Sequence, residues 1–160
     1  MQKKHSPEIA IELMTEEDLD EIVAIEKRSF AAPWSKRLFQ ETLSFPLSFN
    51  FVVRKRVDNR VLGYANFYLI KNEVQILNVA VAPESRKMGY ATELLSDAIA
   101  FFIDLGANEF FLEVRQSNDE AKQLYHRLGF QEIGVRKRYY TETNEDAIVM
   151  RLKVDDETGQ

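Results

Sequence analysis

The chain has 160 residues, is 45% hydrophobic and 29% charged, and carries a formal net charge of -5. Those values fit one folded, soluble domain and exclude a disordered or membrane-spanning chain, while the acidic balance opposes general nucleic-acid binding, which draws on cations that neutralise phosphates. With no cysteine there is no disulfide, thiolate nucleophile or cysteine-held metal, and two histidines, His5 and His126, make a histidine-rich site unexpected; no metal is anticipated.

The opening Met1-Gln2-Lys3-Lys4-His5 is basic, but polar and acidic residues follow instead of an apolar run. Neither a signal peptide nor a membrane span is expected, and the cytoplasm is the default location. No repeat or Gly/Pro/Ser-rich linker divides the chain, so residues 1–160 read as a single domain with a core over about 8–154 and loose ends at 1–7 and about 155–160.

Ile9, Ile11 and Leu13 alternate as in a half-buried strand. Thr15 then reads as a helix cap, Glu16, Glu17 and Asp18 suit the positive end of that helix, and Leu19, Ile22, Val23 and Phe30 form its buried stripe. Ser35 caps a second short helix reaching about Leu43. Three strands follow near 49–55, 61–70 and 74–82, with turns at Val57–Arg60 and Lys71–Glu73, as an antiparallel meander. From Tyr90 to Leu105 the period becomes helical, and Gly106 ends it. Phe110–Val114 is a strand, and Asn118 or Ser117 caps a helix with Ala121, Leu124, Tyr125 and Leu128 on one face, stopped at Gly129. Strands near 130–138 and 146–153 complete an α/β fold of about seven strands in a mixed sheet and about four helices. The strand-helix-strand succession over 74–115 requires a parallel pair.

Three basic clusters stand out. Arg54-Lys55-Arg56 adjoins a turn and reads as solvated surface; Arg86-Lys87 and Arg136-Lys137-Arg138 sit in more informative places. Arg86-Lys87 falls within Val79-Ala80-Val81-Ala82-Pro83-Glu84-Ser85-Arg86-Lys87-Met88-Gly89-Tyr90-Ala91-Thr92, a strand running through a compact loop into a helix. Free amides at a helix start, the helix dipole and a glycine that permits close approach make such a loop suited to an anion. A plain loop fits the same residues taken singly. Glu84, beside the loop, reads as exposed, and no Gly-Lys-Ser/Thr phosphate loop or Gly-x-Gly-x-x-Gly is present.

Arg86-x-x-Gly89-x-Ala91 after a Val-Ala-Val strand resembles the pyrophosphate signature of the GNAT N-acetyltransferase superfamily. That resemblance implies acetyl-CoA as cosubstrate, held by Val79, Ala80, Val81, Arg86, Lys87, Met88, Gly89, Tyr90, Ala91 and Thr92, with Asn118 as a further contact beyond its capping role. Leu112-Glu113-Val114-Arg115-Gln116-Ser117-Asn118, Phe30-Ala31-Ala32-Pro33-Trp34-Ser35, and Arg136 to Tyr140 with Glu145 to Met150 resemble the ribosomal-protein-alanine N-acetyltransferase (RimI) type. By that likeness Glu113 is the general base, directly or through water, Tyr125 is the general acid, and Phe30, Pro33, Trp34, Tyr139 and Tyr140 flank the peptide. Gln75 stands where many relatives carry a glutamate, which shifts the base role to Glu113, and Ala91 replaces the commoner glycine.

Residue chemistry agrees without settling the roles. Acetyl transfer to an amine needs a neutral amine, a stabilised oxyanion and a proton for the departing thiolate. An α-amine, with a pKa of about 8, is roughly a tenth neutral near pH 7, far more than lysine at about 10.4. Glu113 interrupts an apolar strand, and a partly desolvated carboxylate is a better base; but Phe111 and Glu113 share one strand face, which also fits a solvent-facing position. Tyr125 equally fits a core aromatic, and His126 a surface side chain. The expectation is therefore an N-terminal acetyltransferase acting on a ribosomal protein, a monomer or weak dimer. A GNAT enzyme acting on lysine, a polyamine or an amino sugar, and a non-catalytic coenzyme A-binding or ribosome-docking module, remain open.

Overall fold

Alternating residues at the start of the chain form β1 (Ile9–Leu13) in the computed structural model, which describes residues 7–155. The expected loose ends fall almost wholly outside those residues. β1 runs antiparallel to β2 (Ser48–Lys55), β2 to β3 (Val61–Ile70), and β3 to β4 (Glu73–Val81), so the meander forms as its turns imply. β5 (Glu109–Arg115) lies parallel to β4, as the helical crossover demands, and pairs on its other side with β7 (Glu145–Lys153), which in turn holds the edge strand β6 (Gln131–Tyr140). One seven-stranded mixed sheet results, in the order β1-β2-β3-β4-β5-β7-β6.

Four helices cover the two faces. α1 (Leu19–Ser29) and α2 (Lys36–Ser44) place Leu19, Ile22, Ile25 and Phe39 over Val52, Val61, Tyr64 and Ala80. On the opposite face, α3 (Tyr90–Asp104) and α4 (Asp119–Arg127) bury Leu94, Leu95, Ala98, Phe102 and Tyr125 against Phe67, Val74, Phe110, Leu112 and Met150. Phe102 anchors this side, its ring 5.1 Å from that of Phe67 and 5.3 Å from that of Phe49. Deleting such a ring costs about 3 to 5 kcal/mol. Ser35 caps α2 by accepting from the Leu38 N–H at 3.1 Å, and Asn118, rather than Ser117, caps α4 by accepting from the Ala121 N–H at 3.1 Å.

Three local readings change. Thr15 is a helix cap, but of a one-turn 3-10 segment, Glu16–Asp18, that leads into α1; the Asp18 carboxylate closes a capping box by accepting the Thr15 N–H at 2.9 Å. Phe30 correspondingly follows α1 in extended conformation instead of lying on its stripe. Arg54 is not solvated surface either. Its side chain is 11% exposed and bridges Asp18 at 2.8 Å and Glu12 at 2.9 Å, tying β2 to β1 and to the entry of α1.

The feature that positions the site is a divergence in the sheet. β4 and β5 are paired only over Glu73–Gln75 and Glu109–Phe111. Beyond Gln75 an extra residue, Leu77, sits in β4 between positions that pair with Phe67 and Asn66 of β3, a β-bulge that bends the strand. The β5-facing side of β4 past Gln75 therefore has no strand partner among the described residues, and a cleft opens between the strands. Among the described residues no helix is long and apolar enough to cross a membrane.

Candidate active site

The loop between β4 and α3 is built around its main chain. Ala82 N–H donates to the Leu62 carbonyl at 2.8 Å, Pro83–Ser85 make one 3-10 turn, and Lys87 and Gly89 both take left-handed backbone, with φ of 64° and 84°. Gly89 is the N-cap of α3, so no side chain occupies the first-turn amides from the cap position. A Cβ on Gly89 would meet nothing within 4 Å: glycine here spares strained backbone and leaves open space in front of the helix start. Arg86 secures the loop, its Nε donating to the Val81 carbonyl at 2.9 Å and its Nη2 to Ser29 Oγ at 3.0 Å.

A cavity of about 450 Å³ lies here. Val79, Ala80, Val81, Arg86, Lys87, Gly89, Tyr90, Ala91, Thr92 and Asn118 line it, together with Tyr125. Met88 does not; the residue is 61% exposed. Glu84 turns outward, half-exposed, and pairs with Arg28 at 2.6 Å; the Arg28 guanidinium holds its carboxyl below the usual carboxylate range. Exposed main-chain donors, the dipole of α3 and two cations suit this cavity to a phosphate-bearing ligand.

A second cavity, of about 360 Å³, occupies the cleft between β4 and β5. Phe30 and Trp34 form one wall, Ile76 to Val79 the bulged strand, Leu112 to Arg115 the opposite strand, and Tyr140 and Glu142 the far rim. Tyr125 stands in the walls of both cavities. Burial pushes its phenol up to about 12, with the Tyr140 phenol adding to the effect, so it remains a proton donor across neutral pH. Glu113 sits on the β5 face opposite to buried Phe110, Leu112 and Val114. That face is not open solvent: the Glu113 side chain is 27% exposed, lines the cavity and accepts from Arg136 Nη1 at 2.5 Å. The Arg136 guanidinium also lies 4.1 Å above the ring of Tyr139, which lines neither cavity; Pro33 likewise lies outside both. Tyr140 does line the second cavity, beneath the Arg115 guanidinium at 4.0 Å. Burial, opposed by Arg115, raises its phenol to about 12. Arg115 also pairs with Glu142. His126 stays half-exposed, its Nδ1 3.2 Å from the Phe130 carbonyl oxygen.

Reading the chain alone misses Glu26, Asn78, Arg115 and Glu142 in the cavity lining. A signal for Glu26 exists, since it extends the α1 stripe of Leu19 and Ile22 by one turn, an acid on an apolar face. Nothing comparable marks Glu142, which reaches the rim from the turn between β6 and β7.

The chain matches known proteins along most of its length. The Acetyltransferase (GNAT) family matches residues 19–130. A Bacillus subtilis protein provisionally named ribosomal protein bS18-alanine N-acetyltransferase is 35% identical over 148 residues, 92% of this chain and 97% of that protein. The ribosomal protein bS18-alanine N-acetyltransferase of Escherichia coli K12 is 33% identical over 144 residues, 86% of this chain and 92% of that protein. The crystal structure of the ribosomal-protein-S18-alanine N-acetyltransferase from Escherichia coli superimposes with a TM-score of 0.85 at 31% identity, covering 92% of this chain and 95% of that one. The chain therefore belongs to the acetyltransferase (GNAT) family and is an acetyl-CoA-dependent N-acetyltransferase.

Proposed function

We propose that the chain acetylates the N-terminal alanine of ribosomal protein bS18 or a close counterpart by direct transfer from acetyl-CoA. The substrate is the one that the names of its relatives carry. The observation behind the mechanism is that Tyr125 is shared by two cavities, one suited to a phosphate-bearing ligand and one lined by Glu113. In this reading the diphosphate of acetyl-CoA rests on the amides from Arg86 to Ala91 and Thr92, with Arg86 and Lys87 supplying charge, and the unpaired edge of β4 near Val79 to Val81 meets the extended arm. The peptide amine enters the second cavity past Phe30, Trp34 and Tyr140.

Glu113 takes a proton from the amine, directly or through water, and Tyr125 gives one to the departing sulfur. No covalent enzyme intermediate is needed. A weak base suffices because roughly a tenth of an α-amine is already neutral near pH 7. The Arg136 pair orients the Glu113 carboxylate, and a half-exposed pair of this kind gives way readily to a substrate contact.

Purified protein incubated with acetyl-CoA and alanine-starting peptides should release free thiol, and mass spectrometry of the product should put the acetyl group on the α-nitrogen. Acetyl found only on a lysine, a polyamine or an amino sugar assigns another amine acceptor. Binding without turnover points to a non-catalytic module.

A further inference from the structure

Two carboxylates of the second cavity have no part in the chemistry above: Glu142, which pairs with Arg115, and Glu26, which has no such partner among the described residues. Glu26 is 1% exposed, yet it lines the cavity wall. Three neutral donors hold it: Tyr64 OH at 2.6 Å and Asn78 Nδ2 at 2.8 Å on Oε1, and the Trp34 N–H at 2.9 Å on Oε2. Burial first, and then the Glu26 charge, push the Tyr64 phenol far above its ordinary value, which leaves it a permanent donor. No cation pairs with Glu26 among the described residues. A carboxylate offers about four acceptor positions, so one remains. A buried carboxylate without a counter-charge is costly, and a cationic ligand in the cavity would supply one.

We propose that Glu26 is the counter-charge that draws the protonated acceptor amine into the cavity, while its grip on Trp34 and Asn78 sets the wall that the amine meets. Glu113, across the cleft on β5, then takes the proton. The other charged or titratable groups around this space are Arg115, Tyr125, Tyr140 and Glu142 in the lining, Arg136 on Glu113, and Arg86 toward Tyr64. The proposal rests on the second cavity being the amine site.

The test compares Glu26→Gln with wild type in steady-state kinetics from pH 6.5 to 9.5, using an alanine-starting peptide. The variant should raise KM for the peptide about ten-fold at pH 6.5, where the amine is charged. That ratio should shrink toward one above about pH 9, where the amine is neutral in both cases, and KM for acetyl-CoA should stay unchanged. A ratio that does not vary with pH, or a loss confined to kcat or to acetyl-CoA binding, overturns the proposal in favour of a structural role. If Glu26→Gln does not fold, Glu26→Asp keeps the charge, and its KM ratio to wild type should be flat with pH; a ratio that varies overturns it. Wild type that ignores every peptide N-terminus defeats the substrate reading alone. The comparison then runs on whichever amine is acetylated, with convergence expected at that amine's own pKa.

Discussion

The two cavities meet at Tyr125 but are made in different ways. In the one at the head of α3, a single stretch of chain, residues 79–92, supplies one side, loop and helix start included, while the end of α1 and one face of α4 close the other. The one between β4 and β5 is assembled from side chains on α1, the loop after it, both strands, α4 and the β6–β7 hairpin. Backbone recognition needs a conformation and tolerates side-chain change; an assembled pocket needs particular groups at particular points and tolerates little. Each substitution below tests that contrast.

The largest effect is expected at the junction. Tyr125→Phe should lower turnover about 100-fold if the phenol is the general acid, with KM for acetyl-CoA nearly unchanged. Thiol-release kinetics measure both, and an unimpaired variant would remove Tyr125 from the chemistry.

Next comes alkaline stability, which three buried or half-buried tyrosines control. Burial raises Tyr125 and Tyr140 to about 12, and Tyr64 higher still, whereas an unfolded tyrosine loses its proton near pH 10. Between those values the unfolded chain binds fewer protons than the folded one, so stability falls as pH rises. Tyr125 alone contributes roughly 2 to 3 kcal/mol, present in full below pH 10 and mostly lost by pH 12. Urea midpoints at pH 9 and 11 should show the drop, and Tyr125→Phe should reduce it.

A smaller change belongs to the loop at the head of α3. Gly89→Val forces a β-branched residue into left-handed backbone, at about 1 to 2 kcal/mol, and puts a side chain into the open space. Calorimetric titration should show acetyl-CoA binding weakened about ten-fold or more, with KM for the amine little altered. Smallest of all, Met88→Ala removes an exposed side chain that lines neither cavity while leaving its amide in place, and binding should stay within about two-fold. A large loss there would mean that side chains, not amides, carry recognition in this loop.

The same contrast decides what could be read in advance. The stretch Arg86 to Ala91 was legible only as a whole pattern, Arg86-x-x-Gly89-x-Ala91 after a Val-Ala-Val strand, because each residue taken singly fits a plain loop. Glu113 was visible as a charge interrupting an apolar strand, but the strand's period fitted solvent equally well; only the bulge at Leu77 and the early end of β4–β5 pairing turn that face toward a cavity. Glu26 went unread because its three donors come from β3, β4 and the loop before α2, up to 52 residues away. Arg54 was misread for the same reason, since both of its carboxylate partners lie near 40 residues earlier in the chain.

By itself the amino-acid order determined the periods of the strands and helices, the cap at Ser35, a helix start at Ser117 or Asn118, the glycine loop before α3 and the family likeness. All of these depend on a few neighbouring residues and the sterics of their own backbone. The tertiary structure decided which carboxylates are buried, which are paired and which face the cleft. Those outcomes depend on strand register and on where β4 leaves β5, and no local stretch of chain encodes either one.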